Sequence, residues 1–555
     1  MFSSMSLTRW ILFGFGLVLV CFAIVVSSTS YAEILLGVNS KDLSWGPMLF
    51  RALLFFHGVL LIIVSLIWEK IAAGKSEKQE FGLVNNSPKI GGFALATMVF
   101  LSVVGFILRL WNLNSDLWVD EVLTLVGYAR KPFGEIWTSF PDQNQHMLYS
   151  FFAHTSFEIF GESAWALRLP SVLFGVGSIW AMFFLCRRLL GVKEALLASA
   201  LMTFSYHYVW FSQNARGYMG LLFFTMLATW FWFEALEKNR WGWWLAYSAA
   251  IVLGMWTHMT MAFVVAAHGL VYLAMVLLPK LSNGVEKKAG IKPWIAWILS
   301  VTVTLQLYAL AIPEFLRVGL HEESKNSEWT NPLWVLTETI QNLSIGFAGI
   351  AVVICGGAFV AFGWFSLLRK NLRAAFLMIL PPIFAGSLML ALGHNLFPRF
   401  FFFAMGFGLI IVIHGAIELP RFLANYIPAL KENKFVTNYA GVAMVMLVIL
   451  ASLITVPRNY ALPKQNYSGA RDYVENNRLP EDKIIAVSIA GMMYGKLFAP
   501  NWSVAETGAD LKSFQQKSGK IWLIYTLSPE IKAFHPDMWQ MIEKDYEIVK
   551  VFPGT

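Results

Sequence analysis

Two adjacent carboxylates, Asp120 and Glu121, lie in the stretch DLWVDEVLTL (116–125) of a chain in which only 14% of residues are charged. Charge near hydrocarbon is expensive, so the pair invites a chemical reading. One carboxylate can take a proton from an acceptor hydroxyl or help hold a divalent cation, while the other orients the site. The structural alternative is capping of a helix or pairing with a basic neighbour. The same segment continues into DQNQHMLYSFF (142–152), with Asn144, His146 and Tyr149, and GESAWALRLPSVLFG (161–175), with Arg168. There Asn144 and His146 could instead cap the next helix, and Arg168 could snorkel at the membrane boundary. Further on, SQNARGYM (212–219) carries Asn214, Arg216 and Tyr218, and HNLFPRFFFFAMGFG (394–408) carries Arg399. Guanidinium matches phosphate oxygens in geometry and stays charged beside lipid, so Arg399 reads as a phosphate ligand or as an interfacial anchor. His258 and His207 stand at expected helix ends, where a hydrogen-bonded structural histidine competes with a ligand role.

The elements that must position these residues are membrane helices. The chain has 555 residues, is 57% hydrophobic and contains 46 Phe and 23 Trp, with a mean hydropathy of +0.59. That composition is a polytopic membrane protein's. The net charge of +8 falls in short gaps between apolar runs, which argues against nucleic-acid binding and for the positive-inside bias of cytoplasmic loops. Cys21, Cys186 and Cys355 all lie within apolar runs and have neither zinc nor disulfide spacing. Apolar runs at 10–28, 48–68, 92–111, 165–186, 194–210, 218–236, 242–260, 262–279, 294–312, 346–368, 374–392, 400–419 and 435–457 predict about thirteen helices. Basic residues fill alternate gaps. The largest intervening gap, 113–164, holds Asp116, Asp120, Glu121, Glu135, Asp142, Glu158 and Glu162 against Arg130 and Lys131, so it is placed outside the cell membrane. Within it, 131–140 and 146–160 read as interfacial helices. The first run, with Arg9 before it and Ser30-Tyr31-Ala32 after it, reads as an uncleaved helix in preference to a signal peptide. The polar stretch 313–332 is long enough to be a lid or a linker. After residue 457, IIAVSIA (484–490), KIWLIYT (520–526) and YEIVKVF (546–552) predict strands alternating with helices, a small extracytoplasmic α/β domain.

The order of these motifs resembles the polytopic, lipid-phosphate-dependent glycosyltransferases, the family of the lipid A aminoarabinose transferase, the lipopolysaccharide-core galacturonosyl transferases and, more distantly, the protein O-mannosyltransferases. The similarity is best over about 110–235 and weaker to 420. It implies a GT-C-like fold over 92–457, preceded by two additional helices and a linker (1–91) and followed by the soluble domain (458–555). It also implies an enzyme of the inner membrane that passes a sugar, with inversion, from a polyprenyl phosphate to an acceptor in the envelope: a glycolipid, a polysaccharide or a protein. On that resemblance Asp120 is the catalytic carboxylate, and a metal ligand if a divalent cation takes part. Glu121 completes the pair, Arg216 and Arg399 hold the donor phosphate, and His146, Asn144, Tyr149, Tyr218 and His258 line the substrate site. The chain departs from the family pattern at Met147 for a proline, Asn214 for an acid and Phe400 for a tyrosine. The competing reading is a transporter or flippase of a lipid-linked sugar. Transporters place repeats and broken, ionisable helices at mid-membrane, whereas the charges here gather at outer helix ends.

Overall fold

The computed structural model describes residues 6–28, 43–72, 90–278, 289–318, 329–516 and 519–555, with positions 30, 33 and 37 besides. Tyr31 and Ala32 of the cleavage-like motif, most of the linker before residue 90 and half of the 313–332 stretch lie outside these residues. The chain is a polytopic helical membrane protein. Nine of the described helices are long and apolar enough to cross a bilayer.

An N-terminal hairpin, α1 (Leu7–Val25) and α2 (Gly46–Ala72), precedes α3 (Gly92–Leu110). The loop 113–164 then folds into α4 (Val119–Thr124), a π-type turn (Leu125–Ala129), α5 (Phe133–Thr138) and α6 (Met147–Phe160). The two segments expected to be interfacial are thus helical. The bundle continues through α7 (Ala164–Leu189), α8 (Val192–Thr203), α9 (Tyr206–Ser212), α10 (Tyr218–Lys238), α11 (Trp241–Thr257), α12 (Met261–Leu277) and α13 (Lys292–Tyr308). It closes with α14 (Ile312–Val318), α15 (Pro332–Gly346), α16 (Ile350–Lys370), α17 (Leu372–Ala391), α18 (Phe402–Tyr426) and α19 (Ala440–Thr455).

Each predicted apolar run meets a helix, with one correction. The run 194–210 is broken at Phe204–Ser205, giving α8 and α9. At 1.5 Å per residue, neither piece spans about 30 Å of hydrocarbon. The break is held by Arg109 of α3, which is fully buried. Its Nη2 donates to the Met202 carbonyl at 3.2 Å, its Nη1 to Thr203 and Gly105 carbonyls, and its Nε to Ser212 Oγ at 3.0 Å. A cation on the last carbonyls of α8 satisfies groups that an ending helix leaves orphaned. Between α16 and α18 the backbones nearly touch: a Cβ on Gly415 would lie 2.0 Å from the Phe359 carbonyl oxygen, and one on Gly363 2.2 Å from that of Ile411. Small residues permit this approach, and van der Waals packing supplies the association that lipid cannot.

The chain ends in a small domain: α20 (Tyr467–Asn477), β1 (Lys483–Val487), α21 (Ser488–Met493), β2 (Ser503–Ala505), α22 (Gly508–Gln516), β3 (Ile521–Ile524), α23 (Ser528–Phe534) and α24 (Pro536–Asp545). The sheet is parallel in the order β2-β1-β3, with Ile485 opposite Ser503 and Lys483 opposite Ile521. The strand expected at 546–552 is not formed. That stretch leaves Ile548, Val549 and Val551 exposed and lies against α20 through Phe552 and Tyr473, 5.7 Å apart. Instead the third strand is Ser503–Ala505, too short to show an alternating pattern. One apolar cluster joins this domain to the outer loop, with Val122, Leu125 and Tyr149 packed among Tyr467, Ala490, Met493 and Trp502.

Candidate active site

The turn before α4 and the turns that precede α6 and α10 converge at one end of the bundle. Asp120 sits in the first turn of α4, its side chain 13% exposed. Its Oδ2 lies 4.0 Å from Arg216 Nε and 3.8 Å from Arg399 Nη2, ion-pair contacts too long for hydrogen bonds. Arg399 enters on a 3₁₀ turn (Pro398–Phe401) ahead of α18. Its guanidinium lies over Phe397 at 4.4 Å and Trp118 at 5.8 Å, a cation–π setting that holds it at the mouth of the site.

Arg216 is buried. Its Nη1 donates to the Asn144 carbonyl at 2.7 Å, and its Nη2 lies 3.3 Å from His146 Nε2. The Asn144 side-chain amide in turn donates to the Asp120 carbonyl at 3.4 Å, and its backbone N–H donates to Asp142 Oδ1 at 2.7 Å, which also accepts from the Tyr128 hydroxyl. His146 Nδ1 accepts from the Gly217 N–H at 2.6 Å. Both ring nitrogens thus face N–H donors, Gly217 at Nδ1 and Arg216 at Nε2. Burial, then Arg216, then His258 depress the His146 pKa well below that of a free imidazole, so the ring is neutral at pH 7. A Cβ on Gly217 would approach His146 Nδ1 to 2.7 Å and the Thr257 carbonyl to 3.0 Å, so this short bond requires glycine. His258 follows α11, with its ring 4.7 Å from His146 and 5.9 Å from Tyr218. The Tyr218 hydroxyl neighbours Arg399 without a well-formed hydrogen bond.

Three expected residues stand otherwise than their sequence roles. Glu121 does not open toward Asp120: it is fully buried, and its carboxylate is held by Arg168 Nε at 2.8 Å, Arg168 Nη2 at 2.5 Å and the Ala215 N–H at 2.6 Å. Burial works to raise its pKa, but the charges of Arg168 and Lys464 and these hydrogen bonds outweigh it and hold the carboxyl below the usual range. Tyr149 is fully buried and donates to the Leu167 carbonyl at 2.5 Å, which makes it a packing residue. Arg168 does not snorkel. It is 1% exposed and also donates to the Leu113, Ser115 and Asp116 carbonyls, tying the start of the outer loop to α7. His207 lies apart from the cluster, against Gly346 and Phe347.

Neither Trp118 nor Lys464 stands out by residue type or spacing, yet both join the site. The indole N–H of Trp118 donates to Asn214 Oδ1 at 3.0 Å. Lys464, nine residues beyond α19, reaches the Gln213 carbonyl at 2.5 Å and lies 3.7 Å from Glu121. Burial brings its pKa down to about 7 against the opposing pull of Glu121. A divalent cation does not fit the residues present. Two guanidiniums already face Asp120, and no group of three His, Cys, Asp or Glu side chains comes together among the described residues.

Residues 144–311 match a family model described as dolichyl-phosphate-mannose-protein mannosyltransferase. The matched stretch contains His146, Arg216, Tyr218 and His258; Asp120 and Arg399 lie outside it. YkcB of Bacillus subtilis (strain 168), a provisionally named mannosyltransferase, is 28% identical over 169 residues, which are 30% of this chain and 23% of that protein. The chain thus covers under a quarter of that relative's length. Among solved structures, ArnT from Cupriavidus metallidurans in the apo state superposes with a TM-score of 0.48 at 14% identity, over 82% of this chain and 91% of that one. The Archaeoglobus fulgidus oligosaccharyltransferase, tethered to an acceptor peptide, gives 0.44 at 13% identity over 72% and 62%. The resemblance read from the order of the motifs, to the lipid-phosphate-dependent glycosyltransferases, is thereby borne out in the matched family.

Proposed function

We propose that the protein transfers a sugar, with inversion, from a polyprenyl phosphate to an acceptor of the cell envelope, at the outer face of the cytoplasmic membrane. The observation that carries this reading is the pairing of one partly open carboxylate, Asp120, with two arginines 3.8 and 4.0 Å away whose Nε–H groups have no hydrogen-bond partner. Buried donors without acceptors await a ligand rich in oxygen. The family matched over 144–311 takes its name from a lipid-phosphate sugar, in keeping with a site set at a helix-bundle end.

In this reading the acceptor's hydroxyl or amine attacks the anomeric carbon while Asp120 takes its proton. The bond from that carbon to the phosphate oxygen breaks, and its electron pair leaves with the phosphate. Arg216 and Arg399 meet the charge that grows on that oxygen, the electrostatic part of the catalysis. Neutral His146 braces Arg216 and the Gly217 N–H without adding a third full charge. Glu121 acts through position: with Arg168 and the Ala215 N–H it fixes α4 against the Asn214–Gly217 turn. The rival reading, a transporter, has less support because the carboxylate and the arginines that face it, Asp120, Arg216 and Arg399, gather at one end of the bundle.

The test compares purified protein supplied with a polyprenyl-phosphate sugar or with the matching nucleotide sugar, scoring transfer to envelope glycolipid, polysaccharide and protein fractions. Transfer from the lipid-linked donor alone is expected. Efficient use of the nucleotide sugar without lipid would overturn the proposal.

A further inference from the structure

Where related glycosyltransferases carry an acid ahead of the Ala-Arg-x-Tyr phrase, this chain has Asn214, and the structure shows what the amide does. Asn214 is 1% exposed. Its Oδ1 accepts the Trp118 indole N–H at 3.0 Å. Indole N–H is a donor only, so the opposite assignment of the amide would set two donors face to face; the oxygen is the atom at Trp118 and the NH₂ points away from it. That NH₂ has no hydrogen-bond partner. The backbone beneath it is fixed, since the Asn214 carbonyl accepts from Ser171 Oγ at 2.6 Å, and so the amide cannot swing out to find water without giving up the Trp118 bond.

An unpaired amide buried this deeply is costly, a cost met by a ligand that supplies the missing acceptor. The neighbouring groups say what kind. Two residues on, Arg216 is 3% exposed with its Nε also unpartnered. Trp118, which orients the amide, also lies beneath the Arg399 guanidinium, whose Nε is likewise unpartnered. These three open groups are all donors, two of them cationic, and the neighbouring unpartnered Tyr218 hydroxyl can donate as well. Their common complement is an anion with several oxygens, and a divalent cation in their midst would face two guanidiniums.

Resting on the proposed function, we propose that Asn214 is a ligand of the donor's phosphate, donating its free N–H to a phosphate oxygen beside Arg216 and Arg399, so that the phosphate is held by donors of the chain without a divalent cation.

The variant that isolates the claim is Asn214→Asp. Aspartate is nearly isosteric and keeps an oxygen for Trp118, so the turn keeps its anchor, while the donor is replaced by a negative charge. Binding of a short-chain polyprenyl monophosphate is measured by titration of full-length protein in nanodiscs, in EDTA and in manganese, with inorganic phosphate as the comparison ligand. Asn214→Ala is run beside it, and the thermal unfolding of each variant is recorded. The wild type is expected to bind the lipid phosphate equally well in EDTA and in manganese, and more tightly than inorganic phosphate. In EDTA, Asn214→Ala is expected to weaken binding about tenfold, and Asn214→Asp by more. Affinity of Asn214→Asp within about twofold of wild type in EDTA would overturn the proposal and leave the glycosyltransferase reading intact. So would a wild type that needs manganese to bind. Equal affinity for inorganic phosphate would assign the site to the free ion and overturn it as well. A wild type with no affinity for the lipid phosphate in any buffer would sink both.

Discussion

Asp120 and Glu121 are chain neighbours with opposite circumstances, and the contrast separates their roles. Asp120 is partly open and faces two long ion-pair contacts, whereas Glu121 is sealed by a bidentate arginine and a backbone N–H. Asp120→Asn is therefore expected to leave unfolding temperature and donor binding near wild type while slowing turnover by about a hundredfold or more, the scale of a lost general base. Single-turnover transfer checks it; near-normal rates would move the base elsewhere. Glu121→Ala removes one partner of a buried pair and strands Arg168, which costs about 3–5 kcal/mol, so its expected signature is a lowered unfolding temperature in detergent and loss of activity in proportion to loss of folded protein. His146 gives a pH test. Its pKa is depressed in the folded state, so between that value and about 6.5 the unfolded chain binds the extra proton. Stability is then present above pH 6.5 and falls as the pH drops below it, and His146→Gln should flatten that part of the stability profile. The sequence showed these residues by type and order but could not show that Glu121 faces inward, because adjacent residues in a helix diverge by about 100° and nothing in DEVLTL says which carboxylate meets Arg168.

At the scale of elements, the nine described helices long and apolar enough to cross a bilayer were legible because lipid imposes length and composition on any helix that spans it. The break between α8 and α9 was not, since VKEALLASALMTFSYHYVW remains apolar through it. What ends α8 is a long-range contact, Arg109 on the carbonyls of Met202 and Thr203. The small domain shows the same division: β1 and β3 were readable as apolar runs between polar turns, whereas YEIVKVF alternates like a strand but finds no neighbour to pair with. The break matters to the site because α9 leads directly into Gln213, whose amide donates to the Arg109 and Trp111 carbonyls at 3.1 and 2.7 Å, and then into Asn214 and Arg216. Arg109→Met keeps length and apolarity but removes every donor. It is expected to destabilise the protein by several kcal/mol and, in whatever folded fraction remains, to raise KM for the lipid donor more than it lowers kcat. An unchanged KM would show that the broken helix does not position the Asn214–Gly217 turn.

Over the whole molecule, the C-terminal segment closes the site from outside the bundle. Asp116 accepts from both the Ser468 N–H and its hydroxyl at 2.7 Å, and Gln465 accepts from the Val119 N–H at 2.9 Å, so the outer loop and the domain after residue 457 share one end of the molecule. Cysteines placed at exposed Lys131 and Lys512, in a background lacking Cys21, Cys186 and Cys355, are expected to react alike with an impermeant thiol reagent applied from outside the cell; reaction of one and protection of the other would break this arrangement. Lys464 is the hinge of the contact. Its ammonium enters a space 8% exposed, beside Glu121 and under the Trp210 ring at 4.7 Å, and burial lowers its pKa to about 7 despite Glu121. The unfolded chain holds that proton up to about pH 10.4, so above pH 7 the unfolded state is the one with more protons, and this group's contribution to stability rises with pH from about 7 toward 10. Lys464→Met should remove that rise while keeping the stem's packing, and Lys464→Arg, which cannot lose its proton, should be less stable than wild type at pH 9 and closer to it at pH 6. Unfolding temperatures of the three proteins across that range, measured in the same detergent, decide it: parallel profiles would mean that Lys464 stays charged throughout.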